Sequence, residues 1–107
     1  TLNIKNFPSN QAISSKTCAV LRNYMKNVVE NGTGFNAQYK SQTAGKTATA
    51  QSGIYVDGKE QLNTWFVGFY PYDNPKYSIV VMREGGKSGA GDCCPVFRTI
   101  VEKIDNM

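Results

Sequence analysis

Histidine is absent from all 107 residues of the chain. Ser-His-Asp and Cys-His nucleophilic sites use an imidazole as their base, so both are excluded, as is every metal site with a histidine ligand. The three cysteines do not form the spaced pairs of a zinc site or a disulfide framework, since Cys93 and Cys94 are adjacent. We interpret this pair as small residues that open a helix, with a reactive or metal-binding pair as the alternative. We expect no metal and no cofactor.

The chain also lacks long apolar runs and clusters of one charge. No stretch approaches the eighteen apolar residues of a membrane span, and no signal peptide follows Thr1. Since that first residue is not methionine, we expect an excised segment. The net charge of +4 comes from scattered residues, which indicates solvated surface charge and no nucleic-acid partner. Free cysteines, taken alone, favour a reducing compartment.

The apolar pattern predicts the order helix, three strands, helix. A first helix is predicted over residues 15–31 and a last one over 95–105. The first helix carries an i, i+3, i+4, i+7, i+8 stripe of Leu21, Tyr24, Met25, Val28 and Val29, which we expect to be buried. Strands are predicted over about 46–52, 63–70 and 76–84, and their short spacing makes them antiparallel neighbours. The fold class is therefore α+β. The sheet needs cover on both faces, because its last two strands are apolar on both.

The stretch AGKTATAQSG, residues 44–53, contains a Gly-Lys-Thr triplet like the one that ends a phosphate-binding loop. Such a loop needs a second glycine five residues before the Gly-Lys pair, and Lys40 stands there instead. The loop also needs an amphipathic helix after it, and no such period follows. We therefore exclude a nucleotide site.

A lysine among small and hydroxyl residues on a strand suits an anionic substrate that contains a carbonyl. Lys46 supplies positive potential, while Thr47 and Thr49 can donate hydrogen bonds to a carboxylate. The small side chain of Ala48 leaves the strand edge open for a substrate backbone. The alternative from the residues alone is an ordinary edge strand with a lysine facing solvent.

Four ordered segments resemble one known family. GKTATAQ resembles the Lys-Thr-Gly box of penicillin-binding protein transpeptidases, and TWFVGFYPYDNPKYSIVVM is similar to the strand pair that follows that box. TCAVLRNYMKNVVENGTG resembles the helix and Gly-Thr-Gly turn before the box, and PVFRTIVEKI the C-terminal helix of the domain. The similarity runs from about residue 14 to residue 104, with matching gaps between the segments.

The resemblance implies a fragment of the β-lactamase/transpeptidase-like fold. The parent would cross-link peptidoglycan stem peptides through a serine acyl-enzyme, would be acylated by β-lactams, and would act on the outer face of the bacterial cytoplasmic membrane, anchored by a segment outside this chain. By position, Lys46 and Thr49 would be catalytic, the latter through its backbone N–H in the oxyanion hole. Thr47, Ala48 and Thr49 would bind substrate. Ala48 departs from the family pattern, which has glycine there.

The nucleophile of the family has no counterpart in this chain. None of its serines is followed by lysine three residues later, or by asparagine two residues later. We interpret residues 1–107 as a C-terminal segment that is inactive alone, whose partner is the N-terminal remainder of the domain. The segment alone is expected to form homo-oligomers through an unpaired strand edge. The alternative function is a non-catalytic module that binds peptide or cell-wall material at the open strand edge.

Overall fold

The computed structural model describes residues 9–107, which form an antiparallel sheet flanked by helices. The elements are α1 (Ser15–Asn31), a 3-10 turn (Phe35–Ala37), β1 (Ala44–Val56), β2 (Lys59–Tyr70), β3 (Tyr77–Gly86), α2 (Gly89–Asp92) and α3 (Cys94–Asp105). The strand order is β1-β2-β3, and both pairs are antiparallel. The predicted fold class, a three-stranded sheet between an N-terminal and a C-terminal helix, is confirmed. In this part of the chain no helix has the length and apolarity that crossing a bilayer requires.

The first two strands extend beyond the predicted ranges of 46–52 and 63–70. They continue to a tight turn at Asp57 and Gly58, whose φ angles of 52° and 77° are those of a two-residue hairpin turn. Val56 pairs with Lys59 across that turn. Ile54, Tyr55 and Val56 among the added residues are exposed and follow one another directly, so they show no alternation of apolar and polar residues. Backbone pairing holds them in the sheet.

The glycine-rich segment before α3 forms the short helix α2, which is not among the predicted elements. The Ser88 hydroxyl accepts a hydrogen bond from the Gly91 N–H at 3.0 Å. The Asp92 carboxylate accepts from the N–H groups of Lys87 at 2.6 Å and Ser88 at 3.0 Å. Bonds from side chains to the backbone can order a segment that has no helical periodicity.

One face of the sheet is covered by α3. The covered face carries Thr64, Phe66, Gly68 and Tyr70 of β2, all of them buried. Phe97 of α3 is fully buried against this face, and its ring centroid lies 4.7 Å from that of Phe66. The hydrophobic core therefore sits between β2 and α3.

The other face of the sheet, which we call the open face, is covered by residues 9–107 only at its end near Phe69, where Ala44 is fully buried and Arg22 of α1 lies over the Phe69 ring. Val67, Val80 and Met82 lie on it and are exposed, and Val80 is 58% exposed. Residues 9–107 therefore cover this face only in part, and cover on both faces stays a prediction for the whole domain. The apolar residues identify faces that need a partner, but residues 9–107 supply only part of it here.

The apolar stripe of α1 is buried only in part, in contrast to the predicted buried face. Val29 is fully buried, whereas Tyr24 is 63% exposed and Leu21 is also exposed. α1 packs along β1 and the 3-10 turn, chiefly through its C-terminal end. Helical periodicity predicts which residues share a face, and tertiary packing decides how much of that face is buried.

Cys93 and Cys94 are buried and unbridged at the start of α3, with Pro95 in its first turn. Burial raises the pKa of Cys94 to about 11, so its thiol is protonated and unreactive at neutral pH. Their position favours the interpretation as small residues at a helix start.

The end of α3 is tied to the sheet through Asp105. Its carboxylate accepts hydrogen bonds from the Lys40 ammonium at 2.8 Å, the Tyr70 hydroxyl at 2.6 Å and the Tyr39 hydroxyl at 3.0 Å. The bonds from Lys40, Tyr70 and Tyr39, in that order of effect, lower the pKa of Asp105 to about 2. The bond to Asp105 and, to a smaller extent, burial raise the pKa of Tyr70 to about 12. One carboxylate thus joins α3, β2 and the turn before β1.

Candidate active site

The residues singled out from the sequence lie together on the N-terminal half of β1. Lys46 pairs with Val67 of β2, and Ala48 pairs with Trp65. Because side chains alternate along a strand and paired residues share a face, Lys46 and Ala48 lie on the open face. Thr47 and Thr49 lie on the opposite face, paired with Phe66 and Thr64. The strand therefore divides the predicted site between its two sides.

Lys46 is exposed at the edge of the open face. Its ammonium donates a hydrogen bond to the backbone carbonyl of Thr47 at 2.8 Å. Within residues 9–107 it makes no salt bridge, since the ion pairs found there involve Lys26, Lys40 and Arg83. Two further donor hydrogens of the ammonium can therefore meet an anionic group that approaches this face.

Thr47 is half-buried and its hydroxyl lies 2.7 Å from the hydroxyl of Thr33. Thr33 belongs to the turn between α1 and β1 and is not among the predicted site residues. Of two paired hydroxyls, one donates to the other and the second keeps a proton for an outside acceptor. The pair can thus donate one hydrogen bond to a carboxylate. The place of Thr33 in the Gly-Thr-Gly turn was the one feature of the sequence that could have indicated a role for it. Its contact with Thr47 could not be predicted, because the two residues are 14 positions apart and meet only in the fold.

Ala48 and Thr49 are exposed at the same edge of the sheet. β1 is an edge strand, and within the described residues no strand pairs with its outer side. An edge of this kind presents N–H and C=O groups that an extended peptide can pair with. The open edge that the sequence predicted is present in this part of the chain.

Two glycines bring the covered face close to the candidate site. Gly45 and Gly68 face each other across β1 and β2. A Cβ atom at Gly45 would lie 2.3 Å from Cζ of Phe66, and one at Gly68 would lie 2.8 Å from Cε2 of Phe97. The aromatic rings therefore pack directly on the backbone that precedes Lys46.

A shallow cavity of about 290 Å³ lies beyond the candidate site, near the end of the β1–β2 hairpin. It is lined by Ser52, Ile54, Gln61, Asn63, Glu84 and Gly85. The Ser52 hydroxyl there donates to the Gln61 carbonyl and accepts from the Ile54 N–H, so it supports the irregularity in β1 between Gln51 and Tyr55, where the pairing register shifts. In residues 9–107 no hydrogen bond joins a serine hydroxyl to a lysine ammonium. The same residues contain no cluster of three side chains suited to a metal ion.

Comparisons with known proteins agree with this geometry. The family model of the penicillin binding protein transpeptidase domain matches residues 5–102. The peptidoglycan D,D-transpeptidase FtsI of Buchnera aphidicola is 34% identical over 95% of this chain and 19% of its own length. The peptidoglycan D,D-transpeptidase MrdA of Haemophilus influenzae is 33% identical over 73% of this chain and 14% of its own length.

A solved structure gives the same result. The D,D-transpeptidase domain of a peptidoglycan glycosyltransferase from Eggerthella lenta matches with a TM-score of 0.77 and 26% identity, over 99% of this chain and 24% of the solved chain. The chain thus spans less than a quarter of each of these relatives. The chain belongs to the penicillin-binding protein transpeptidase family, as a fragment of the transpeptidase domain.

Proposed function

We propose that this chain is the C-terminal, substrate-binding segment of a serine D,D-transpeptidase. The full-length protein would cross-link peptidoglycan stem peptides by acyl transfer and would be acylated by β-lactams. The observation that carries the proposal is the unpaired edge of β1, which carries an exposed Lys46 on the open face and the hydroxyl pair of Thr33 and Thr47 on the opposite face. The names of the two curated relatives, both peptidoglycan D,D-transpeptidases, support the same reaction.

The segment would bind the substrate and stabilise charge in the reaction. A stem peptide or β-lactam would lie along the edge of β1 as an added strand. The ammonium of Lys46 and the hydroxyl pair of Thr33 and Thr47 would attract its terminal carboxylate. The backbone N–H of Thr49 would donate to the oxyanion that forms when the nucleophile attacks the carbonyl. Ala48 would place a methyl group on the open face beside the substrate.

The nucleophilic serine and its lysine would come from the N-terminal remainder of the domain. That remainder would pack on the open face and bury Val67, Val80 and Met82, which are exposed in residues 9–107. The segment alone would therefore be inactive. The full-length protein would work at the outer face of the bacterial cytoplasmic membrane, held by an anchor outside residues 1–107.

A labelled penicillin tests this proposal. The full-length protein should form a stoichiometric covalent adduct, and the isolated segment should form none, because no serine in it has an activating lysine three residues later. A stoichiometric mass shift on a serine of the isolated segment would contradict the truncated-site interpretation.

The role of Lys46 is tested in the full-length protein by Lys46→Ala. The acylation rate constant should fall by about tenfold or more, because the lost charge acts mainly in the transition state. The melting temperature should not change, since Lys46 is exposed. Lys59→Ala, at the exposed tip of the same hairpin, is the matched control and should acylate like wild type. Equal acylation rates in both variants would show that Lys46 is a surface lysine with no role in acylation.

The alternative is a non-catalytic module that holds peptide or cell-wall material at the edge of β1, which the same unpaired edge favours. The two functions differ in one measurement. A full-length protein that binds stem peptide but forms no covalent penicillin adduct would be the binding module.

A further inference from the structure

The short helix α2 packs directly on the backbone of the substrate-binding strand. A Cβ atom at Gly89 would lie 2.4 Å from the carbonyl oxygen of Trp65. It would also lie 3.2 Å from the carbonyl oxygen and 3.3 Å from the nitrogen of Ala48. These distances leave room for glycine alone, so α2 and the β1–β2 backbone are in contact at the motif itself. The contact is on the side of the sheet opposite the Lys46 side chain.

The position of α2 is fixed by the Asp92 carboxylate. It accepts hydrogen bonds from the Lys87 and Ser88 N–H groups, which close the turn that leads into α2. It also accepts from the Thr64 hydroxyl at 3.3 Å and lies 3.3 Å from a guanidinium nitrogen of Arg83. Thr64 is fully buried on β2 and Arg83 is on β3, so one carboxylate ties α2 to two strands.

The strand residue that pairs with Thr64 is Thr49. Asp92 is thus bonded to the residue directly across the sheet from the proposed oxyanion donor, and Gly89 touches the residue that precedes it. The Lys87 and Ser88 N–H groups, in that order, keep the pKa of Asp92 below its ordinary value, so the carboxylate is charged at neutral pH. The two contacts converge on the peptide between Ala48 and Thr49.

We propose that Asp92 is a positioning residue for the substrate-binding strand. By holding Gly89 against the backbone of Ala48 and Trp65, it sets where the Ala48–Thr49 peptide and its N–H lie relative to the substrate. This role rests on the proposed function of β1. Asp92 itself touches no substrate, and its effect passes through Gly89 and Thr64.

Full-length variants test the proposal through the rate of acylation by a labelled penicillin, resolved into the chemical rate constant and the binding constant. Asp92→Ala releases the turn, and Gly89→Ala pushes it away from the strand. Because a misplacement of about 1 Å can cost up to about a hundredfold in rate, we expect each to lower the chemical rate constant by about tenfold or more. Asp92→Asn keeps an oxygen that can accept from the turn, so its loss should be smaller.

Two controls accompany these variants. Gly91→Ala lies in the same helix, but its Cβ would meet the Ser88 side-chain oxygen alone, at 3.2 Å, and no atom of β1 or β2. Asp57→Asn removes a carboxylate at the hairpin tip, where asparagine suits the turn equally well. Both should acylate at the wild-type rate.

Amide hydrogen exchange over residues 44–51, at a temperature where all variants are folded, provides a readout besides activity. Faster exchange there in Asp92→Ala and Gly89→Ala, with a lower chemical rate constant, supports positioning. A lower melting temperature with wild-type exchange and a wild-type rate constant would overturn it and leave Asp92 a purely structural residue. If the wild-type protein forms no adduct, the proposed function itself fails, and the exchange data alone then decide whether Asp92 positions β1.

Discussion

Phe97 offers the sharpest test of how the core supports the candidate site. Its ring is fully buried on α3 and lies at 59° to the ring of Phe66, with 4.7 Å between the ring centroids. Below the two rings are Gly45 and Gly68, which have no side chains to move into a vacated space. Phe97→Ala therefore leaves a cavity that cannot collapse easily.

The expected loss follows from this geometry. Phe-to-Ala changes in cores cost about 3–5 kcal/mol, and the cost rises with the volume of the residual cavity. A tilted aromatic pair adds about 0.5–1.5 kcal/mol beyond the buried area. Since neither glycine can fill the gap, we expect a loss near the upper end, about 4–5 kcal/mol in the free energy of unfolding. Phe97→Leu, which keeps most of the volume, should lose much less.

The assay is urea unfolding of the transpeptidase domain, followed by tryptophan fluorescence and extrapolated linearly to water. Val96→Ala is the matched control, because Val96 precedes Phe97 on the same helix and is 46% exposed. It should cost about 1 kcal/mol or less. If Phe97→Ala and Val96→Ala lowered the free energy of unfolding by the same amount, Phe97 would not be a core residue, and the described packing of α3 on the sheet would be refuted.

Two further predictions concern pH and association. The combined contribution of Asp105 and Tyr70 to stability should be constant from about pH 4 to pH 10, the ordinary pKa values of aspartate and tyrosine. It should fall below that window as Asp105 is protonated towards its pKa of about 2, and above it as Tyr70 ionises towards its pKa of about 12. Urea titrations of Asp105→Asn should show a smaller acidic decline, the remainder coming from carboxylates such as Asp92, whose pKa is also lowered; an unchanged acid limb in that variant would rule out Asp105 as a cause. Light scattering should show the isolated segment forming dimers or larger species as concentration rises, because β3 is apolar with an unpaired outer edge in the described residues. Val80→Lys should weaken this association. A strictly monomeric wild-type segment would contradict the prediction.

The order and type of the main elements could be predicted from local patterns. The apolar stripe between Ser14 and Gly32 has a helical period with a start and stop signal, and the structure has α1 between these two residues. Asp57 and Gly58 specify a hairpin turn, because both adopt the left-handed φ that the turn requires. These features depend on residues close in the chain, which is why the sequence alone suffices.

The features that the sequence did not reveal depend on distant contacts. α2 is held by side-chain bonds of Ser88 and Asp92, so no apolar period marks it. The partner of the Thr47 hydroxyl is Thr33, which comes close because α1 packs along β1. The exposure of Tyr24 reflects what covers α1, and no pattern within the helix carries that information.

The position of Lys46 links completion of the fold to completion of the proposed site. Lys46 shares the open face with Val67, its partner across the strands, and with Val80 on the next strand. Any segment that buries these valines must therefore come within side-chain reach of the ammonium. Under the proposed function, the contact that covers the apolar face also delivers the nucleophile to Lys46, so folding of the whole domain and assembly of its active site are one event. A substitution such as Val80→Lys, which opposes that contact, should then lower acylation in the full-length protein even though Val80 touches no substrate.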